Sequence, residues 1–191
     1  SRHSSIVAPE LIGCLIVRYD KGKKIQEGII VETEAYSQEE EACHGFYKKT
    51  NANQTLFGEP GLFYVYKSYG MHYCLNLVTD KNNFASGVLI RSVFITQKEE
   101  RAASGPGLLT KKFQIDKRVN SLKSYNNTLL KIFNRNIRIN GEDLVQTTRI
   151  GISKALELKW RWYLKSSRSV SKRVKGDKIP KLQNKFSTPN L

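Results

Sequence analysis

Two glutamates and a tyrosine stand at alternate positions in the stretch I-I-V-E-T-E-A-Y, residues 29–36. The apolar start of this stretch predicts a β-strand, and side chains along a strand alternate between its two faces. Glu32, Glu34 and Tyr36 therefore share one face. Most glutamates on strands face water, so a solvated surface is the simplest interpretation. The alternative is chemical, because a carboxylate beside an aromatic wall can serve as a general base.

The sequence offers few other side chains for acid, base or metal chemistry. Its cysteines and histidines are Cys14, Cys43, Cys74, His3, His44 and His72. They form neither a C-x-x-C nor an H-x-x-x-H pair, the usual start of a metal site. We expect the cysteines to be ordinary reduced thiols and the protein to use no metal and no cofactor. Acid and base chemistry would then fall mainly to carboxylates.

The tyrosines cluster in L-F-Y-V-Y-K-S-Y-G-M, residues 62–71. Tyr64 and Tyr66 would share one strand face, and Tyr69 stands before Gly70, where the backbone can bend. Each buried tyrosine hydroxyl needs a partner, which argues against a dry core. Beside Lys67, these rings suit stacking on nucleic-acid bases, which contributes about 1–3 kcal/mol per base. Aromatic packing within a sheet is the alternative.

Composition limits the classes of protein to consider. The chain has 191 residues, of which 39% are hydrophobic, and this suits one domain with a sizeable core. Its 32 Lys and Arg exceed its 17 Asp and Glu, giving a net charge of +15. Such an excess favours a polyanionic partner, nucleic acid before membrane. Without an apolar run of about 18 residues or a signal-peptide core, we expect a soluble, intracellular protein.

The elements that would position the glutamates form a hairpin. Residues 9–17 predict a short helix followed by the opening strand, with Gly13 near their junction. Y-D-K-G-K-K at residues 19–24 contains the D-x-G pattern of a hairpin turn. The strand at residues 28–36 would then pair back, antiparallel, on residues 14–18.

The segment after this strand predicts a short helix that folds over the end of the strand. Ser37 followed by Glu40 forms a capping box, which is typical of a helix N-terminus. The helix would present Glu41, Ala42 and His44. A lone histidine is more often structural than catalytic, and only its neighbours make His44 a candidate.

A further apolar strand is predicted at residues 86–95, interrupted by Arg91. An arginine there either extends to the edge of the strand or binds an anion such as a phosphate. Residues 99–103 predict a helix. S-G-P-G at residues 104–107 predicts the start of another over residues 108–113, whose N–H groups could hold a phosphate.

The rest of the sheet follows from weaker patterns. Further strands are predicted within residues 120–140, 148–152 and 161–164, with a turn at residues 140–141. After residue 170 the composition becomes basic and poor in core residues. We therefore predict one domain at residues 1–170 and a disordered tail at residues 171–191.

Taken together, the motifs resemble one known family. They are V-E-T-E-A-Y, A-C-H, G-x-x-Y-V-Y-x-x-Y-G-M, C-L-N, V-L-I-R, S-G-P-G-x-L, R-I-G-I and W-R-W-Y-L, in this order over residues 9–164. This set is similar to the alkyladenine DNA glycosylase family, the 3-methyladenine DNA glycosylases of the mammalian type. The resemblance implies a single compact α+β domain around a curved, largely antiparallel β-sheet with short flanking helices.

The resemblance also implies a role for each matching position. The implied enzyme flips a damaged purine out of duplex DNA and hydrolyses its N-glycosidic bond without cleaving the strand. Glu34 matches the general base that activates water, and Arg91 a residue that helps hold the water or a nearby phosphate. The implied base pocket has Tyr36, His44 and Tyr66 as walls, Asn76 as floor, backbone around Ala42 and His44 at the purine edge, and Ile150 on a nearby strand. Tyr69 matches the side chain that enters the duplex.

The expected partner is therefore double-stranded DNA that contains alkylated or deaminated purines. The implied lesions are 3-methyladenine, 7-methylguanine, hypoxanthine and ethenoadenine, and alkylated cationic bases would gain about 0.5–2 kcal/mol over tyrosine faces. We expect a monomer that binds no membrane and is associated with DNA, in the cytoplasm or nucleoid of a bacterium or in a eukaryotic nucleus.

Two alternatives remain open from the sequence. The first is a non-catalytic nucleic-acid-binding protein with the same fold, although binding alone does not require the Glu34 carboxylate. The second is a glycoside hydrolase that pairs Glu32 with Glu34, since alternate residues on a strand lie about 6–7 Å apart. A net charge of +15 does not suit a neutral glycan.

Overall fold

One antiparallel sheet dominates the computed structural model, which describes residues 1–135 and 139–181. Within these residues the strands are β1 (Leu15–Asp20), β2 (Lys23–Ser37), β3 (Phe63–Ser68), β4 (His72–Val78), β5 (Ser86–Phe94), β6 (Leu130–Phe133), β7 (Leu144–Thr147) and β8 (Arg161–Leu164). The α-helices are α1 (Ser4–Glu10) and α2 (Pro106–Lys112), and 3₁₀ turns lie at Gln54–Phe57, Gln97–Glu99, Lys117–Val119 and Gly141–Asp143. The expected α+β class with a largely antiparallel sheet is confirmed.

The long strand β2 is the centre of this curled sheet. The hydrogen-bonded order is β3-β4-β5-β2-β1-β6, and β8 pairs with β2 and β7. The first half of β2 pairs with β1, and its second half pairs with β8 at residues 32–34. Residues 29–37 of β2 pair with β5 along the other edge. Both edges of β2 are therefore occupied where the glutamates stand.

The predicted hairpin between β1 and β2 is confirmed. Lys21 and Gly22 form its two-residue turn with φ angles of 47° and 78°. Positive φ at both central positions matches the right-handed twist of the flanking strands. The register places Leu15 opposite Ile29, so β1 pairs with the start of the glutamate strand as expected.

Irregular pairing between β2 and β5 surrounds Glu32. The register shifts between Ile30 and Glu32 and again between Glu32 and Thr33. Such bulges interrupt the ladder and turn side chains in new directions, and they are frequent next to functional sites. Here the interruption lets Arg91 of β5 contact the carboxylates of β2.

Two apolar clusters support the sheet. The larger cluster joins α1 and α2 to one face of the sheet, and its fully buried members include Ile16, Phe63 and Leu109. The smaller cluster contains Cys43, Leu56, Phe57, Tyr64, Val78 and Ala85. It packs beneath the loop after β2, so that loop has a fixed apolar base.

The predicted helix after β2 is wrong, because residues 38–47 form turns. Ser37 ends β2, and its hydroxyl accepts a hydrogen bond from the N–H of Glu39. The Glu40 carboxylate pairs with Arg149 at 2.6 Å and accepts from the N–H of Ala42. The side chains of the capping box thus have partners that hold a loop.

Other helix predictions were displaced or only partly met. The N-terminal helix begins at Ser4, capped by His3, five residues before the predicted start at Pro9, and it ends at Glu10, just inside the predicted range. Gly13 lies between α1 and β1 with a φ of 90°, as its junction position requires. The predicted helix at residues 99–103 is a 3₁₀ turn at Gln97–Glu99 followed by turns, whereas α2 forms where S-G-P-G predicts it.

The strand predictions near the C-terminus were mixed. β8 matches its predicted range, and β6 lies within the predicted 120–140 region, of which residues 136–138 are outside the described residues. Residues 148–152 are not a strand. The N–H of Ile150 donates to Glu34 instead of a sheet partner, and Gly151 has a φ of 77°.

Residues 171–181, the first part of the predicted tail, contact the folded domain. Ser171 contacts the buried Glu32 carboxylate, and Asp177 accepts a hydrogen bond from Tyr163 at 2.6 Å. These partners come from distant strands, so the local composition could not reveal them. The rest of the predicted tail, residues 182–191, lies outside the described residues. Among the described helices, none is both long and apolar enough to cross a membrane.

Candidate active site

A cavity of about 620 Å³ opens beside β2, between the β3–β4 hairpin and the segment after β7. Eight of the nine residues that the resemblance implied for the site line it: Tyr36, Ala42, His44, Tyr66, Tyr69, Asn76, Arg91 and Ile150. The ninth, Glu34, lies directly behind Tyr36, Arg91 and Ile150 and contacts all three. The structure therefore brings the predicted residues together around one cavity.

The Glu34 carboxylate is fully buried and held by three donors. Its Oε1 accepts from the N–H of Ile150 at 2.8 Å. Its Oε2 accepts from the Tyr36 hydroxyl at 2.9 Å and from Nη1 of Arg91 at 3.1 Å. A carboxylate has about four acceptor sites, so one further donor, such as a water, can be accommodated.

Burial raises the pKa of Glu34 above its usual range. The charge of Arg91 and the hydrogen bonds from Ile150 and Tyr36 lower this pKa, while the charge of Glu32 raises it. Desolvation is the largest of these effects because the carboxylate has no solvent contact. Its proton affinity therefore exceeds that of a surface glutamate, which favours a group that accepts a proton.

Arg91 bridges the two glutamates of β2. Its Nε donates to Oε1 of Glu32 at 3.2 Å, and its Nη1 donates to Glu34. The arginine is nearly buried, and the charges of Glu34 and Glu32 raise its pKa against the effect of its own burial. It is thus a permanent cation that links the carboxylates to the cavity.

Glu32 has a different environment from Glu34, although they are two residues apart on one strand. It is fully buried and does not line the cavity. Arg161 of β8 donates to it at 2.9 Å, and the hydroxyl of Ser92 donates at 2.8 Å. Because Glu32 is buried and enclosed by donors, it is not part of a solvated surface. The same arrangement disagrees with a hydrolase that uses Glu32 and Glu34 as a catalytic pair.

The aromatic wall of the cavity consists of two tyrosines and a histidine. The rings of His44 and Tyr66 meet edge to face at 4.4 Å, and Tyr64 and Tyr66 lie 5.5 Å apart. Nδ1 of His44 is 3.0 Å from the Tyr64 hydroxyl. Burial lowers the pKa of His44 and raises that of both tyrosines. The wall is therefore uncharged at neutral pH.

Tyr36 forms the opposite wall and is backed by Arg149. The guanidinium of Arg149 lies 4.7 Å from the centre of the Tyr36 ring and 5.6 Å from that of Trp160. The same guanidinium makes two hydrogen bonds to Glu40, at 2.6 and 2.9 Å. Burial is the largest of the effects that raise the pKa of Tyr36 well above its ordinary value, so its hydroxyl stays protonated and donates to Glu34.

The backbone of the loop after β2 presents polar groups to the cavity. The N–H of Ala42 donates to Glu40, and the carbonyl of His44 accepts from the Asn53 amide at 2.7 Å. Within the described residues, the carbonyl of Ala42 and the N–H of His44 have no protein partner. Asn76 donates to the carbonyl of Tyr64 at 3.1 Å. One acceptor and one donor on the loop are thus available to a ligand.

Tyr69 stands at the mouth of the cavity, on the turn between β3 and β4. Its side chain is 87% exposed, and its φ angle of 49° is in the left-handed region. Gly70 and the exposed Met71 complete this turn. A bulky residue in this conformation is uncommon, which makes the turn a candidate for function rather than packing.

Sequence reasoning missed several residues of the site. Arg149 stood inside the R-I-G-I motif, but only its neighbour Ile150 was singled out. Glu40 was interpreted as a helix cap, and Cys74 and Leu89 were given no role although both line the cavity. Ser171 had no detectable signal, because it lies in a basic segment without periodicity.

Comparison with known proteins agrees with this geometry. The model of a family described as methylpurine-DNA glycosylase matches residues 1–168. Among the relatives are proteins provisionally named 3-methyladenine DNA glycosylase. That of Trichodesmium erythraeum is 40% identical over 90% of this chain and 94% of its own. That of Synechococcus elongatus is 38% identical, over 91% and 88%.

A third relative, from Carboxydothermus hydrogenoformans, has the same provisional name. It is 40% identical over 91% of this chain and 96% of its own. The match of the family model to residues 1–168 extends over nearly the whole described fold. It includes every strand and loop that lines the cavity. With its buried glutamate behind an aromatic cavity, the chain belongs to the methylpurine-DNA glycosylase family of DNA repair enzymes.

Proposed function

We propose that the protein removes alkylated and deaminated purines from duplex DNA by hydrolysis, with Glu34 as general base. The main observation in support is the position of Glu34, buried behind an aromatic cavity and within hydrogen-bond distance of three residues that line it. The net charge of +15 supports DNA as the partner. The protein would act as a monomer, and the folded unit would include residues 171–181.

The substrate base must leave the duplex before it can reach the cavity. Extrusion of a nucleotide requires a few kcal/mol, and a side chain that fills the gap reduces this requirement. Tyr69 is suited to that role, because it is exposed at the mouth of the cavity on a turn between two paired strands. The neighbouring Lys67 also lines the cavity and would attract the phosphate backbone.

Preference for damaged purines would come from the aromatic walls. A cationic base such as 3-methyladenine between Tyr36 and Tyr66 would gain cation–π energy of about 0.5–2 kcal/mol that a neutral base does not gain. His44 is suited to this wall because its lowered pKa keeps it neutral and avoids repulsion of a cation. The carbonyl of Ala42 and the N–H of His44 would bind the edge of the purine.

The chemistry requires one base and one well-placed cation. The oxygen of a water attacks the sugar carbon C1′ while the bond from C1′ to the purine nitrogen breaks, and the purine leaves with the electron pair. Glu34 takes the proton of the water, and its negative charge stabilises the oxocarbenium-like sugar. Arg91 keeps the carboxylate oriented through its 3.1 Å hydrogen bond. Neutral lesions such as hypoxanthine need additional protonation of the base.

The test is release of free base from defined duplexes. Wild-type protein in excess would be incubated with duplexes that contain hypoxanthine, 1,N6-ethenoadenine or methylated purines, and the released bases identified by mass spectrometry. We expect free base and an abasic strand that breaks only after alkali. Tight DNA binding with no released base from any duplex would contradict the proposal and support a DNA-binding protein on the same fold.

A further inference from the structure

The Glu32 carboxylate is enclosed by more donors than a structural ion pair requires. Among the described residues, five groups donate to it from two strands, β5 and β8, and a terminal segment. The donors are Nε of Arg91, Nη1 of Arg161, the hydroxyl of Ser92, and both the N–H and the hydroxyl of Ser171. Ser171 supplies two of them, at 2.7 and 2.9 Å, although it lies beyond the region that the family model matches.

Ser171 contacts both members of the ion pair that reaches Glu34. Its hydroxyl donates to Oε1 of Glu32 and accepts from Nη2 of Arg91 at 3.4 Å. The remaining nitrogens of Arg91 are directed to Glu32 and Glu34. Each of the three guanidinium nitrogens therefore has its own partner, and Ser171 is the partner of Nη2.

The segment around Ser171 is fixed on both sides. Before it, the carbonyl of Ser169 accepts from Ser104 at 2.7 Å, and the carbonyl of Val170 accepts from Arg101 at 2.8 Å. After it, Arg161 donates to the carbonyl of Lys172 at 2.7 Å. A hydroxyl on such a segment has little freedom to move, which is the condition for orienting a neighbour.

Farther along, the segment is anchored by a buried polar group. The hydroxyl of the fully buried Tyr163 donates to Asp177 at 2.6 Å, and Arg173 pairs with the same carboxylate at 2.8 Å. Burial raises the pKa of Tyr163 to about 12, so this hydroxyl remains a donor. Residues 169–177 thus form a terminal strap that holds Ser171 against the charged cluster.

We propose that Ser171 is a positioning residue, which orients Arg91 toward Glu34 through Glu32, and that the terminal strap holds Ser171 in place. This inference rests on the proposed role of Glu34. Without the hydroxyl, Glu32 loses one donor and Arg91 loses one acceptor. Glu32 then draws the guanidinium more strongly, and the hydrogen bond from Arg91 to Glu34 weakens.

Weakening of the hydrogen bond from Arg91 to Glu34 should change the pKa of Glu34 in a defined direction. Arg91 lowers the pKa of Glu34, so a weaker contact lets the pKa rise further. The titratable and charged groups that face Glu34 are Arg91 on β5, Tyr66 on β3, Cys74 on β4, Arg149 after β7, and Glu32 and Tyr36 on β2. Only Arg91 and Glu32 among them contact Ser171.

The experiment compares Ser171→Ala with two matched variants. Ser171→Thr keeps a hydroxyl at the same position. Ser169→Ala removes a hydroxyl from the same strap, where the partner is the carbonyl of Glu100 and no charged group is involved. Ser171→Cys fills the space with a weak donor and replaces the alanine variant if that variant does not fold.

The first measurement needs no DNA. The pKa of Glu34 would be measured by ¹³C NMR of labelled glutamate carboxyls, with Glu34→Gln identifying the signal. We expect a higher pKa in Ser171→Ala and wild-type values in Ser171→Thr and Ser169→Ala. An unchanged pKa in Ser171→Ala, or an equal rise in Ser169→Ala, would overturn the positioning role whether or not the protein releases bases.

The second measurement is single-turnover base release at neutral pH. We expect Ser171→Ala to be slower by about tenfold, which corresponds to about 1.4 kcal/mol, with unchanged DNA affinity. The acid limb of its rate profile should move to higher pH. If wild type is active and Ser171→Ala releases base at the same rate as Ser169→Ala, the positioning role of Ser171 is refuted and the proposed function stays intact. An inactive wild type would refute the proposed function itself.

Discussion

The floor and the rim of the cavity are built in opposite ways. We call Glu32, Glu34 and Arg91 the floor, because the two glutamates lie behind the cavity and Arg91 connects them to it; these are buried charges with several partners each. The rim, defined by Tyr69, Gly70 and Met71, is an exposed turn with left-handed backbone. The chemical groups are held before any substrate arrives, whereas the groups that would meet DNA are free to adjust. Changes at the floor should therefore affect stability and rate together, whereas changes at the rim should act mainly on events on DNA and change stability only slightly.

Removing the cation of the floor should have the largest effect on stability. Arg91→Met leaves two buried carboxylates without their shared partner. We expect the free energy of unfolding to fall by about 3–5 kcal/mol in urea titrations. Arg161→Met is the matched control, because it contacts Glu32 but not Glu34. It should destabilise the protein while retaining more base release than Arg91→Met, and equal rates in the two variants would remove Arg91 from the mechanism.

Shortening the rim tyrosine should slow base release without affecting the fold. Tyr69→Ala removes a ring that would stack in the duplex, and stacking contributes about 1–3 kcal/mol, or about 5- to 160-fold in rate. Release should fall less when the lesion is in single-stranded DNA. Tyr125→Ala provides the control, since Tyr125 is 62% exposed and does not line the cavity. A thermal shift of several degrees in Tyr69→Ala would instead indicate a structural role.

The left-handed backbone at Tyr69 predicts that one substitution stabilises the protein, an effect smaller than that of Arg91→Met and opposite in sign. Asparagine tolerates a φ near 49° better than tyrosine does. Because the tyrosine side chain is largely exposed, Tyr69→Asn loses little packing. We expect the free energy of unfolding to rise by about 0.5–1 kcal/mol while base release falls. A stabilised, slower variant would show that Tyr69 serves DNA contact at the expense of stability, whereas a destabilised one would show that the ring packs.

The raised pKa of Glu34 predicts the smallest effect, which is on the pH dependence of stability. Because the folded-state pKa lies above the unfolded value, the native state binds more protons in the window between them. The stabilising contribution of protonated Glu34 is complete below the unfolded pKa and is lost as pH rises through the folded pKa. Relative to Glu34→Gln, wild type should therefore lose stability over this window. A constant difference between the two unfolding curves would mean that the pKa is not raised.

The strands that carry the floor residues were predicted from the sequence better than the partners of the charged side chains. Alternation along residues 29–36 placed Glu32, Glu34 and Tyr36 on one face, and the apolar run at residues 86–95 placed Arg91 on a strand. These are local periodicities, which backbone geometry imposes directly. What alternation could not show was that Glu32 and Glu34 have different partners, because those of Glu32 come from β8 and the terminal strap and that of Glu34 from the segment after β7.

The loops were predicted least well, for an identifiable reason. Ser37 and Glu40 have the spacing of a capping box, but Glu40 pairs with Arg149, more than a hundred residues away. Residues 148–152 have the composition of a strand, but Ile150 uses its N–H for Glu34. In both segments a distant partner competes with the local hydrogen bonds, and no local pattern records that competition. The resemblance to a known family pointed to cavity-lining residues that periodicity left unassigned.

The most direct test of the central claim is single-turnover base release by wild type and Glu34→Gln on the same saturated DNA duplex. Glutamine keeps the size of the side chain but cannot accept a proton from water. We predict that release falls by about 10²- to 10⁴-fold while DNA affinity is retained. Release by Glu34→Gln within a factor of a few of wild type would contradict the account, because the proton would then be accepted elsewhere.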